Sequence, residues 1–492
     1  MSPSMNPLPG LRGPRRSGLI GLSIALWLVV MAWEWPVALS FGDEVGYVGQ
    51  ARLFLQGQIK PTISSPGIWH TTASGGLVAK YPLFHPALLA PFIALSPRSA
   101  FLVGIVTAVL LAVMAGRILR EWGKDPMWAV LVLAQPAITL VARTLMADLL
   151  LSAFLLGAYC AIRKNRFGPT ILLIAATLVA KPTGPVLAVL LIGGELSKDW
   201  RPLRARDPVA MRKVLACGVG MAVGMAIIVG TNLIANGSPW YGYHERLGPP
   251  NFMATFLFTS GAAHAKSLAL VPPLLFVGAW PFWVRRDYGP LAVMAGLIGL
   301  MAIYYFVDWG RSSVDSLVLS QRLILPAIVF LMIGYAALLS DLCLHLEARW
   351  GPWVGSTTLA GLLILPGLAG YAISSRHRRW QEPMRQALAS VSEVAASLGT
   401  NRIALTPSAL KYGLMFNGLT TLQPSERALL AEGPDRKDLD GQPLADVILC
   451  GTKNTSYRVL SSDLSCVTKG YETVRAFAGC EILVRSDRIP NR

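Results

Sequence analysis

Charge is what this chain is short of. Only 14% of its 492 residues are Asp, Glu, Lys or Arg, against roughly a quarter in an ordinary soluble protein. Hydrophobic residues make up 53% and the mean hydropathy is +0.50. That balance excludes a typical soluble enzyme and points to a polytopic membrane protein. Acids are the scarcer sign, with 27 Asp and Glu against 44 Lys and Arg, a net charge of +17 and a pI near 9.9. Such an excess can signal nucleic acid. Here the basic residues form short clusters between apolar runs, as loops obeying the positive-inside rule do, so the reading is against a nucleic-acid partner.

Other features are missing too. There is no glycine-rich loop of the kind that cradles nucleotide phosphates, and no compact His/Cys/Asp/Glu spacing of a metal site. No internal repeat stands out, which argues against an inverted-repeat transporter. The first apolar run ends at Trp33, Glu34 and Trp35 rather than at a small-residue cleavage site, so it reads as a retained span and not a removed signal.

Apolar runs of about 20 residues, or fewer where protein surrounds them, mark candidate spans. They fall near 18–40, 99–118, 126–142, 148–163, 168–181, 183–196, 213–235, 267–284, 290–307, 323–340 and 352–374, about eleven in all. With residues 1–17 as a cytoplasmic tail, the basic clusters sort to the cytoplasmic side. They are Arg117, Arg120 and Lys124; Arg163, Lys164 and Arg166; Lys198 through Lys213; and Arg285 with Arg286. The opposite side receives a long first loop, 41–98, the corner from Arg143 to Asp148, and a tight helical hairpin with Lys181 at its tip. Pro182 and Gly184 break the helix there. Residues 18–374 thus form a transmembrane domain. Residues 375–492 alternate short apolar runs with turns, the pattern of a small soluble α/β domain. Three of the six cysteines, Cys450, Cys466 and Cys480, lie in it; in an oxidising compartment one pair is available for a bridge, with the pairing undetermined.

The opposite face also collects the chemistry. Asp43 and Glu44 stand side by side just after the first span, where paired carboxylates are costly unless they serve something. Apolar residues at Val45, Val48, Ala51, Phe54 and Leu55 follow near helical spacing. This predicts a short helix on the membrane surface with the two carboxylates at its amino end, where backbone N–H groups favour negative charge. Simple helix capping explains the pair equally well. Glu34, between two tryptophans, reads as an interfacial anchor.

Taken in order, the motifs are Asp43 and Glu44 with Tyr47, Ala51 and Gly57; Lys80-Tyr81-Pro82-Leu83; Arg143 with Asp148; Lys181-Pro182-Thr183-Gly184; Asn232 and Gly237 to Pro239 before Gly242 and Tyr243; and Gln321-Arg322 leading to Pro326. Their order and common sidedness resemble the polyprenyl-phosphate-dependent integral-membrane glycosyltransferases. These include the protein O-mannosyltransferases and the bacterial lipid A aminoarabinose transferases, and the resemblance extends to about residue 374. It implies a GT-C-like membrane fold in a bacterial inner membrane, with the active site and the C-terminal domain outside the cytoplasm.

The resemblance further implies a polyprenyl-phosphate sugar donor, hexosyl or pentosyl, and a lipid, glycan or protein acceptor. Direct attack by an acceptor hydroxyl inverts the anomeric centre. Asp43 is then the general base, and Glu44 orients the acceptor, contacts the sugar or caps its helix. Lys80 leads as the phosphate contact, with Lys181 and Arg322 as helpers against charge on the leaving group; snorkelling toward the interface is the plain alternative for both helpers. Tyr47 and Tyr81 support them. Asp148 holds a metal, orients Arg143, or simply forms a salt bridge with it. His244 and Glu245, with His70 and His85, share the face and are available to a divalent metal, although their spacing is not compact. His85 stands where relatives commonly carry a small residue. No cofactor is assigned, and metal dependence stays open. A lipid or solute transporter or flippase is the alternative function, and a noncatalytic scaffold displaying the tail is a third.

Overall fold

The structure is a computed structural model describing residues 15–37, 39, 42–59, 69–71, 77–79, 82–237, 239, 252–304, 313–399, 403–405, 447–451, 471–477 and 480–489. Helix dominates it. The first helices are α1 (Arg15–Trp33), α2 (Gly42–Leu55), α3 (Phe84–Leu95) and α4 (Phe101–Glu121), with a small antiparallel pair, β1 (Trp69–Thr71) and β2 (Leu77–Ala79), between α2 and α3. Then come α5 (Leu131–Ala134), α6 (Pro136–Ala142), α7 (Ala147–Arg163), α8 (Phe167–Ala180), α9 (Gly184–Leu196), α10 (Trp200–Arg204) and α11 (Pro208–Asn236). The helical series closes with α12 (Ser260–Leu270), α13 (Trp280–Val284), α14 (Tyr288–Ala302), α15 (Ser313–Leu323), α16 (Leu325–Trp350) and α17 (Pro352–Ser397).

Among the described residues, four helical stretches are long and apolar enough to cross a membrane: Pro97–Glu121, Pro208–Ala235, Leu325–Trp350 and Trp353–Arg379. A fifth is the pair α6 and α7, bent by 114° at the Arg143 corner. Several expected spans take other forms. The stretch near 126–142 is broken into a 3-10 turn, α5 and α6. Pro136 has no N–H to donate, and the Gln135 side chain accepts from Ala137 N at 2.5 Å instead. Near 267–284 the chain is α12, a proline-interrupted turn at Pro272 and Pro273, and α13. The segments near 168–181, 183–196 and 290–307 are helices of 14, 13 and 15 residues.

Close approach of backbones needs residues without a Cβ. At Gly334 on α16, a Cβ would run into the Gly278 carbonyl, and a Cβ at Gly278 would meet the Leu331 carbonyl in turn. Neither obstacle is a side chain that can rotate aside. Gly334→Ala should therefore destabilise by about 1–3 kcal/mol or more through forced separation of the backbones, read as earlier unfolding in detergent; unchanged unfolding would show that this contact is loose.

Polar groups sort to two ends. At one end, Lys198 pairs with Asp287 at 2.8 Å and Glu195 at 3.2 Å, and Arg163 lies 3.6 Å from Asp287. Lys164 meets Glu121 at 2.5 Å, and Arg285 donates to the Trp122 carbonyl at 3.2 Å. All four basic clusters of the sequence thus meet there. From this end α8 runs back to the other, where Lys181 meets Asp148 at the start of α7.

α17 is 46 residues long and crosses position 375 without a break, so the change in composition there does not interrupt the backbone. Beyond it the chain forms a four-stranded sheet of order β3-β4-β6-β5 from β3 (Ile403–Leu405), β4 (Val447–Gly451), β5 (Tyr471–Phe477) and β6 (Cys480–Arg485). β3 and β4 are parallel; the other pairs are antiparallel. The apolar runs around 403, 447 and 482 are therefore strands, as their residue types suggest. Arg475 on β5 pairs with Glu393 on α17 at 2.6 Å. In register, Gly451 faces Cys480 and Cys450 faces Glu481; Cys466 lies outside the described residues.

Candidate active site

Asp43 and Glu44 occupy the first turn of α2, where the uncompensated N–H groups of a helix favour carboxylates. The helix does not lie on a surface as the apolar spacing suggested. Tyr47, Val48 and Ala51 are buried, because α3 covers the helix from the far side of the first loop. Glu44 is fully buried, and its Oε1 accepts from Leu145 N at 2.7 Å.

That contact explains the corner. Between α6 and α7 the chain turns through 114°, and the amide of Leu145 falls outside both helical hydrogen-bond ladders. Glu44 takes its N–H, while His85 Nε2 donates to its carbonyl at 2.7 Å. One residue is held from both sides by α2 and α3. His85 is thus a buried clamp, with the Tyr47 ring edge-on at 4.8 Å between centroids. We expect Glu44→Gln to keep the fold, since an amide oxygen accepts the same bond. Glu44→Ala should cost about 1.5–3 kcal/mol, the range for a hydrogen bond to a charged group. Thermal unfolding of the two variants measures the difference, and equal stability would show that the corner does not rely on Glu44.

Past the corner, Asp148 sits in the first turn of α7, its side chain 3% exposed, and pairs with Lys181. The hairpin tip therefore delivers its lysine to a buried carboxylate and not to the interface, so the snorkelling reading of Lys181 falls. The Arg143–Asp148 salt bridge is not formed. Arg143 is fully buried and its Nε donates to His377 Nδ1 on α17 at 3.3 Å. Glu34 acts on Arg143 at longer range and pairs with Arg378 at 3.3 Å. It is buried and ionically paired, in place of the interfacial anchor expected from its tryptophan neighbours; Trp33 alone is well exposed. Gln381 accepts from Val37 N at 3.2 Å, a second tie between the end of α1 and α17.

The remaining member arrives from α15. Arg322 Nη2 lies 3.6 Å from Asp43 Oδ2, with the arginine side chain 8% exposed and the aspartate 32%. This too replaces the snorkelling alternative for Arg322. Its neighbour Gln321 is buried, donates to Ser267 O at 3.1 Å and accepts from Gln135 Nε2 at 2.6 Å. The break before α6 thereby fixes the end of α15. Tyr304 lies close enough to Asp43 and Arg322 for both charges to act on its hydroxyl. Of the expected site residues, Asp43 meets Arg322, Glu44 and Tyr47 join the corner through Leu145 and His85, and Asp148 meets Lys181. Lys80, Tyr81, His244 and Glu245 lie outside the described residues. Among those described, no three His, Cys, Asp or Glu side chains are grouped to hold a metal.

Chemically, the site presents one partly open carboxylate beside a guanidinium, backed by buried polar contacts. No family model and no curated protein matches the sequence. Solved structures do. ArnT from Cupriavidus metallidurans in the apo state superposes with a TM-score of 0.58 at 14% identity, covering 97% of this chain and 100% of that one. The same protein bound to undecaprenyl phosphate gives 0.61 at 15% identity with the same coverage. The chain has the ArnT fold. Arabinosyltransferase EmbB from Mycobacterium smegmatis is matched over 76% of this chain and 42% of that one, at 16% identity and a TM-score of 0.35, too distant to carry an argument. The helical membrane fold implied by the resemblance is thus observed in outline, with four or five of the about eleven expected spans long and apolar enough among the described residues.

Within that ArnT fold, sequence reasoning missed Gln135, Tyr304, His377 and Arg378. Gln135 had one signal, its place before Pro136 where a side-chain cap is needed. His377 and Arg378 lie in a basic run, Arg376 to Arg379, whose look of a soluble boundary hid its role beside Arg143.

Proposed function

We propose that the protein is a membrane glycosyltransferase that moves a sugar from a polyprenyl-phosphate carrier to a lipid, glycan or protein acceptor outside the cytoplasm of a bacterial cell. The observation that carries the reading is the meeting of Asp43 with Arg322, joined through the Glu44 corner to the Asp148–Lys181 pair, on a chain with the fold of a protein solved with undecaprenyl phosphate. Positive-inside sorting supports the sidedness, since the basic clusters gather at the end opposite this site.

In the proposed reaction the acceptor hydroxyl gives its proton to Asp43 as its oxygen bonds to the anomeric carbon. The bond from that carbon to the carrier phosphate breaks on the opposite face, which inverts the configuration. The phosphate leaves with the electron pair. Arg322 and Lys181, with Lys80, meet its charge, and groups already in place do this at least reorganisation cost. Glu44 serves as scaffold, because its oxygen is committed to Leu145. The test is mass spectrometry of lipid-linked sugars and surface glycans in cells with and without the protein. We expect one polyprenyl-phosphate sugar to accumulate and one glycan product to vanish on deletion, which also identifies the sugar as hexose or pentose. Unchanged pools of both would reject the assignment.

A further inference from the structure

The end opposite the candidate active site holds a feature that the transfer chemistry does not use. From Asp148 to Ile162, α7 carries the chain roughly 20 Å away from that site. There, where α8 and α11 both begin, a cavity of about 330 Å3 opens between them. Arg166, Arg212 and Lys213 line it, together with Phe167 and an apolar wall that includes Ile162 and Val209.

Its charge is not balanced. Lys213 is paired with Asp199 at 2.6 Å, but neither Arg166 nor Arg212 pairs with a carboxylate among the described residues. Arg212 is instead laid over the Phe167 ring, 5.5 Å from its centroid, which holds the guanidinium at the cavity while its N–H edges stay available. The neighbouring ionic cluster makes a useful contrast. There Arg163 and Lys198 are matched by Glu195 and Asp287, so that cluster is self-neutral and joins helices. The cavity has two cations left over. The first turn of α8, with no side-chain cap at Arg166, adds N–H groups of the sign that favours an anion.

The walls decide between a soluble and a lipidic anion. Val209 lines the cavity and is 52% exposed, and α11, which begins there, is long and apolar enough to cross a membrane and mostly exposed along its length. In a membrane the exposed side of such a helix faces acyl chains. A basic hollow at its foot suits a phosphate headgroup whose tails lie along the helix. We propose that this cavity binds the phosphate headgroup of an anionic phospholipid in the leaflet opposite the active site. The inference stands on the cavity and its surroundings, independently of the chemistry at Asp43.

The experiment uses the full chain in detergent with equal amounts of phosphatidylglycerol and phosphatidylethanolamine, native mass spectrometry reading the lipid retained. Wild type should prefer phosphatidylglycerol. Arg166→Gln with Arg212→Gln should reduce that preference by about ten- to thirty-fold, given the usual contribution of a basic side chain at an anionic surface. Both arginines are exposed, so the fold is expected to survive, and Arg166→Lys with Arg212→Lys should retain the preference. Equal retention by wild type and the glutamine variant would overturn the proposal. So would protection of wild type alone by inorganic phosphate with no lipid preference, which would assign the cavity to a soluble anion.

Discussion

Asp43→Asn should lower the rate of sugar transfer by about 10²–10⁴-fold, the usual contribution of a positioned general base, while the protein still folds. Folding should survive because, with Glu44 fully buried, Asp43 is the more exposed of the two adjacent carboxylates. Its side chain is 32% exposed and its contact with Arg322, at 3.6 Å, is longer than a hydrogen bond. Asparagine keeps the shape and the polar surface and removes the basic oxygen together with the charge that faces Arg322. Purified variant and wild type would be compared on a labelled polyprenyl-phosphate sugar, with thermal unfolding as the control. A lost base should reduce kcat far more than it changes KM for the donor, since it acts on the acceptor proton in the transition state. Transfer at the wild-type rate would remove Asp43 from the mechanism. A rise in KM alone would mean that Asp43 merely holds Arg322 for the donor.

What the sequence made legible follows from how local each signal is. The helix beginning at Asp43, the bend at Arg143 and the lysine-tipped hairpin all rest on neighbouring residues, a helix start or a Pro/Gly break, and all are present. The short strands after α17 are legible for the same reason. Partners were harder. Arg143 finds His377 and Glu34 finds Arg378 across more than 200 residues, and a charge pattern carries no information on which cation reaches which acid. The nearness of Arg143 to Asp148 along the chain suggested a bond that the sharp corner prevents, because the two side chains leave it toward different helices. Burial of α2 was hidden for another reason: in a membrane protein an apolar stripe faces lipid or protein alike, so spacing alone does not say which. The site's order along the chain was therefore readable, and its pairing was not.

The Asp148–Lys181 pair offers the sharpest separation of support from chemistry. Asp148 has a side chain 3% exposed, and its Oδ2 has no hydrogen-bond partner among the described residues. Lys181 is thus its counter-charge. Lys181→Met should destabilise the protein by about 3–5 kcal/mol, because it strands a buried carboxylate, whereas removing both charges as Lys181→Met with Asp148→Leu should recover most of that loss. Unfolding in detergent micelles measures both. Transfer should behave differently. If Lys181 turns from Asp148 to meet the leaving phosphate, the double variant folds like wild type and yet stays impaired, since no cation has been restored. Recovery of transfer along with stability would reduce the pair to a helix clamp and leave Arg322 and Lys80 to carry the phosphate. The pairing seen here suits the first outcome: a carboxylate that holds an ammonium in place before the donor arrives spares the site the cost of organising it during the reaction.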